Sequence, residues 1–134
     1  MDVTEKIIGF LQTTHPYDVL PRQEIEALAQ SFSRKTFAQG QVIYAHGELL
    51  EGLYLIKDGA VEITDVNGAQ VSFLQRSNHF GERGLLRDGL AATTATAATD
   101  TTLLILTPAA FREGLSGNPA LLACEISRDS NASP

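Results

Sequence analysis

The sequence predicts an α+β domain, mainly β, in which a small antiparallel roll or barrel is flanked by helices at both ends. Three observations predict it. Two amphipathic helical stretches open the chain, short β-type runs bounded by turn residues fill its middle, and a helical pattern returns after Pro108. At 134 residues there is room for one domain, and 43% apolar with 19% charged residues is a composition that packs a core rather than a disordered chain.

The first helix is read from Val3, Ile7, Ile8 and Leu11, which recur at helical spacing between Asp2 and about Thr13. The second follows Pro21, a residue suited to a first helical turn, with Ile25, Leu28, Ala29 and Phe32 on one face. From Lys35 the period becomes two. Val42-Ile43-Tyr44, Leu53 to Ile56, Ala60 to Ile63 and Val71 to Leu74 read as strands, and Asp58-Gly59 and Asn67-Gly68 as hairpin turns. Thr93 to Thr99 and Thr101 to Leu106 read as a further hairpin, turning near Asp100. Thr107-Pro108 is then an N-cap followed by a first helical residue, with Phe111, Leu115, Leu121, Leu122 and Ile126 on the helical face beyond it. This divides the chain into N-terminal helices at 1–34, a roll at 35–107, C-terminal helices at 108–127 and a polar tail or linker at 128–134.

Charge and residue usage narrow the function classes. A net charge of −6 opposes the phosphate neutralisation on which nucleic-acid binding depends, so no DNA or RNA partner is expected. One cysteine, Cys124, excludes an internal disulfide and a cysteine-based zinc site, and a reducing, cytoplasmic location is expected. The N-terminus lacks the basic start and long apolar run of a signal peptide, and no membrane span is foreseen. A metal-dependent cupin-type enzyme would need clustered imidazoles, whereas His15, His46 and His79 stand apart. No nucleophile elbow or Walker loop is present either, so the chain is read as a non-enzyme without cofactor.

The stretch Phe80-Gly81-Glu82-Arg83-Gly84-Leu85-Leu86-Arg87-Asp88-Gly89 breaks the β pattern. A short helical turn there presents unpaired backbone N–H groups suited to an anion, while a carboxylate beside them suits sugar hydroxyls. A phosphate on amides and a ribose on Glu82 together describe a nucleotide.

The order of motifs from Phe37 to Leu115 resembles a cyclic-nucleotide-binding domain. The matching pieces are Gly40 to Tyr44, Gly47, Leu53 to Ile63, Phe80-Gly81-Glu82 and Ala97 to Phe111. The resemblance implies an eight-stranded antiparallel β-roll, jelly-roll-like, with a phosphate-binding cassette at 80–94. It implies cyclic AMP or cyclic GMP as candidate ligand, Glu82 on a ribose hydroxyl, and amides of Gly84, Leu85 and Leu86 facing the phosphate. Gly81, Arg83, Thr93 and Thr94 complete the candidate set, and Tyr54 and Phe73 are expected in the core.

One departure from the family pattern bears on the ligand. The arginine that pairs with the cyclic phosphate in the family falls on Ala91, or on Ala92 with one gap, and neither carries charge. Losing one charge-assisted bond costs roughly 1.5–3 kcal/mol, about ten- to 150-fold in affinity. Arg83 and Arg87 are the candidates to replace it, and a ligand without a buried phosphodiester charge, such as a nucleoside, is the other solution. The form Gly81-Glu82-Arg83-Gly84-Leu85-Leu86 is similar to N-terminal sensor domains of bacterial proteins that append CBS domains and a nucleotidyltransferase region. That similarity implies a regulatory module reporting to an attached output domain through its C-terminal helix. The alternative is a degenerate, non-binding domain serving protein contacts or a homodimer.

Overall fold

The computed structural model describes residues 3–14, 17–81, 84–85 and 88–110. Helix α1 (Val3–Gln12), a 3-10 turn (Tyr17–Val19) and helix α2 (Arg22–Ser31) precede eight strands. These are β1 (Phe32–Phe37), β2 (Val42–Tyr44), β3 (Leu53–Asp58), β4 (Ala60–Thr64), β5 (Gln70–Gln75), β6 (His79–Phe80), β7 (Thr94–Ala97) and β8 (Thr101–Leu106). They form two four-stranded antiparallel sheets, ordered β1-β8-β3-β6 and β2-β7-β4-β5. No helix among the described residues is long and apolar enough to cross a membrane.

Alternation along β3 and β8 divides the interior into two cores. Leu53, Leu55, Leu104 and Leu106 pack with Ile7, Ile8, Phe10 and Leu11 of α1 and Ile25 and Ala29 of α2. Tyr54, Ile56, Leu103 and Ile105 face the other way, against Val61, Ile63, Leu74, Ala95 and Ala97 of the second sheet. A Leu-to-Ala change on either face would cost about 2–5 kcal/mol. The helical faces expected from Ile7, Ile8 and Leu11 and from Ile25 and Ala29 are the buried ones.

Several local readings are corrected. Phe32 is the first residue of β1 rather than the last of α2, and it pairs with Leu106, so the sheet begins three residues before Lys35. Its burial is the same in either element, which is why periodicity missed the boundary. Asp58-Gly59 is not a hairpin turn, because β3 and β4 lie in different sheets, and neither is the turn at Asp100 between β7 and β8. Both are corners at which the chain passes from one sheet to the other, and they cross side by side. Buried Thr101 secures the crossing: its hydroxyl accepts the Ala60 N–H at 3.3 Å and has the carbonyls of Thr99 at 2.8 Å and Ala60 at 3.0 Å within reach. Only β4–β5 is the expected hairpin, closed by the Asp65 carboxylate accepting the N–H groups of Asn67 and Ala69 at 2.8 and 3.0 Å. Phe73 is not in the core. It is 47% exposed on β5, an edge strand whose inward side is occupied by buried Leu74. The N-cap at Thr107 is present, its hydroxyl accepting the Ala110 N–H at 3.2 Å, and the C-terminal helices beyond Ala110 lie outside the described residues.

Gly59 has φ +97°, and a Cβ there would lie 2.6 Å from the Asp100 carbonyl oxygen. Gly40 has φ +86° with nothing within 4 Å of a Cβ. Urea denaturation should therefore separate strain from collision. Gly40→Ala loses about 1 kcal/mol and Gly59→Ala at least about 3 kcal/mol. Equal losses would show that the two corners do not touch.

Candidate functional site

The cassette leaves the first sheet at Phe80 and returns to the second at Thr94, and close packing at its glycines fixes the path between them. Phe80 is fully buried and stacks on Tyr54, with centroids 5.0 Å apart and planes 11° from parallel; Tyr44 completes the cluster at 5.3 Å from Tyr54. Gly81 turns the chain with φ +91°, and a Cβ on it would sit 3.0 Å from the Tyr54 ring. A Cβ on Gly84 would meet the Leu90 carbonyl oxygen at 2.4 Å and Leu50 Cδ1 at 2.5 Å. Gly84 is required by approach distance and Gly81 by its positive φ, whatever the ligand.

Backbone bonds close the cassette on itself and clamp it to the loop before β3. Leu85 N–H donates to the Gly81 carbonyl at 3.3 Å, and Gly89 N–H to the Gly84 carbonyl at 2.7 Å. The Leu85 amide is thus engaged in the turn itself, whereas the resemblance had it facing a phosphate. Leu50 N–H donates to Gly89 at 2.9 Å, Ala91 N–H to Glu48 at 2.8 Å, and Gly47 N–H to Ala91 at 2.9 Å. The Leu85 side chain, half-buried, packs against both cores.

Of the remaining candidates, Thr93 and Thr94 differ. Thr93 is buried, whereas the Thr94 hydroxyl accepts the His46 N–H at 3.0 Å. The register pairs Ile63 with buried Ala95 and Thr64 with Thr94, so Thr94 stands on the opposite face of the second sheet from its core. Ala91 is buried in the roll-side core, while Ala92 is half-buried. Glu82, Arg83, Leu86 and Arg87 lie outside the described residues.

One pair, His79 beside the cassette and its partner Tyr17, escaped the sequence reading. His79, immediately before Phe80, is fully buried, and its Nε2 shares a 2.8 Å hydrogen bond with the hydroxyl of Tyr17, itself 1% exposed. The signal was strand alternation: if Phe80 faces the roll, His79 must face the N-terminal helices. Tyr54 is held protonated, its pKa pushed up to about 12, first by burial, with Glu51 and Glu48 adding repulsion; its hydroxyl accepts the Glu51 N–H at 3.2 Å.

Tyr17→Phe keeps the ring and deletes the hydroxyl, leaving His79 Nε2 without that partner, and should lower unfolding free energy by about 1–3 kcal/mol in urea. A change below about 0.5 kcal/mol would mean that the bond contributes nothing net. Because the Tyr54 pKa is raised, its contribution to stability is full below the unfolded value near 10 and is lost as pH rises through about 12. A spectrophotometric titration of the folded chain should show a tyrosine step near pH 12, and Tyr54→Phe should remove it.

Comparisons with known proteins agree with this geometry. The model of the cyclic nucleotide-binding domain matches residues 34–118. The cyclic AMP receptor protein of Thermus thermophilus is 34% identical over 98 residues, covering 70% of this chain and 44% of that protein. Among solved structures, the regulatory subunit of a cAMP-independent protein kinase A from Trypanosoma cruzi, bound to guanosine, aligns with a TM-score of 0.78 and 27% identity. It covers 90% of this chain and 44% of that one. The corresponding subunit from Trypanosoma brucei, as a triple-substituted variant with one threonine-to-arginine change, is bound to cAMP in its A site. It aligns with a TM-score of 0.81 and 26% identity, over 96% of this chain and 47% of that one. The chain spans less than half the length of these relatives. With the eight-stranded roll, the glycine-packed cassette after Phe80 and a family match over most of its length, the chain belongs to the cyclic nucleotide-binding domain family.

Proposed function

We propose that the chain is a ligand-sensing regulatory module whose roll takes a nucleoside in preference to a cyclic nucleotide. In this reading Glu82 accepts the ribose hydroxyls, as the resemblance implies. What supports it is the pair Ala91 and Ala92 at the positions on which the resemblance places the arginine that the family pairs with the cyclic phosphate. An unpaired phosphodiester charge brought into this apolar roll would cost more than its lost hydrogen bond alone. The guanosine held by one relative, and the cAMP held by a relative's variant that gained an arginine, support the same division of ligands.

Ligand binding orders the cassette, and the segment after Pro108 passes the change to an attached output domain, of the CBS or nucleotidyltransferase class that the motif form suggests. A homodimer through the same segment is part of this reading. Binding and reporting, not catalysis, are the proposed activity.

Calorimetry on the purified chain tests it. Adenosine or guanosine should bind at least tenfold more tightly than cAMP or cGMP, and Glu82→Ala should abolish the heat. Ala92→Arg, at the half-buried rather than the core position, should raise cyclic-nucleotide affinity about ten- to 150-fold, the worth of one charge-assisted bond. If cyclic nucleotides bind the natural chain best, Arg83 or Arg87 supplies the charge, and Arg83→Ala would weaken it. No heat with any of these ligands at millimolar concentration would leave a roll kept for protein contacts.

A further inference from the structure

A second site lies on the other side of the first sheet, away from the cassette. A cavity of about 160 Å3 opens between α1 and the sheet, lined by Lys6, Ile7, Arg34 and Lys57. Three elements contribute one cation each: α1, β1 and β3. Arg34 pairs with Leu104 across β1 and β8, and Leu55 pairs with Leu104 from the other flank; Lys57 sits at the register shift between Ile56 and Asp58 and lines the same cavity as Arg34. Arg34 and Lys57 therefore stand on the helix-covered face of the sheet, at the margin of the apolar contact made by Ile7.

The local charge balance is opposite to that of the chain. Arg76 lies beside this group, its guanidinium 4.8 Å over the Phe10 ring and donating to the Lys57 carbonyl at 2.6 Å. The carboxylate that reaches these cations among the described residues is Asp58, and it is engaged by Arg76 at 2.9 Å and only more distantly by Lys57 at 3.5 Å. Lys6 and Arg34 have no ion pair among the described residues. Three of the ten basic residues of a chain with net charge −6 thus line one recess, with Arg76 held against Phe10 and the Lys57 carbonyl nearby. Converging cations repel one another, and an anion in the recess removes that repulsion.

We propose that this recess binds a dianionic phosphate group, free or as the monoester of a small metabolite, and in doing so fastens α1 to the roll. A guanidinium fork offers paired N–H donors to two phosphate oxygens, and two ammonium groups supply further donors from other directions. The site is independent of the nucleoside pocket, since the full thickness of the first sheet separates Arg34 and Lys57 from the roll-side core.

The test is an NMR titration of the 15N-labelled 134-residue chain with inorganic phosphate and, separately, glycerol 3-phosphate, at ionic strength held constant with sodium chloride. Saturable shifts of the Ile7, Arg34 and Lys57 amides are expected, with a Kd of about 1 mM or tighter. Arg34→Gln and Lys6→Gln should each weaken binding at least tenfold while leaving the remaining spectrum in place. Lys6→Gln, on the exposed side of a helix, keeps the test valid if Arg34→Gln fails to fold. Tighter binding of the monoester would identify a metabolite as the source, and equal binding would identify free phosphate. Shifts that rise linearly without saturation, or affinity unchanged in both variants, would overturn the proposal. So would shifts confined to the cassette.

Discussion

Burial of β3 and β8 on both faces is the constraint on which the rest of the molecule depends. Leu53, Leu55, Ile56, Leu103 and Leu104 are all wholly buried, yet consecutive residues belong to different cores. A strand in this position has no polar side to spend, and its sequence reads as an unbroken apolar run. The arrangement holds only while something covers each face. The N-terminal helices do so on one side and the second sheet on the other, so neither is an appendage to a roll that would stand without it.

The same two strands explain why the corners cross where they do. β3 and β8 are neighbours in the first sheet and continue into β4 and out of β7, which are neighbours in the second. A paired ribbon therefore passes between the sheets as a unit, and its two corners must fit against each other within van der Waals contact. Gly59 permits the approach and Thr101 satisfies the polar groups that the bend releases from the ladders.

Much of this was legible from residues alone, and the limits have physical causes. Strand positions could be read because alternation is a local signal: β2, β4, β5 and β8 fall on or within a residue of the runs that showed it, and β3 runs two residues past its own. Pairing could not be read, because a dipeptide such as Asp58-Gly59 states that the chain bends and not which sheet receives it. Phe73 was misplaced because hydrophobicity does not distinguish the buried from the open face of an edge strand; Val71, at 42% exposure, shares its fate. Thr93 and Thr94 looked equivalent as residue types, and only the register separates the buried one from the one that caps the His46 amide. The Tyr17–His79 bond joins residues 62 apart, a distance at which no local pattern reports.

The cassette's geometry rests on contacts that a ligand does not supply. Phe80 on Tyr54, Gly84 against Leu50 and Leu90, the ring of backbone bonds to the 47–50 loop and Leu85 between the two cores all belong to the protein itself. Replacing the side chain at position 91 or 92 removes none of them, so the fold can persist while the chemistry of the pocket changes. Ala91 is itself part of the roll-side core, where an arginine would bury a charge, whereas half-buried Ala92 leaves a side chain a path to the surface. The backbone contacts thus hold the described part of the cassette in place, whatever side chains stand at positions 91 and 92.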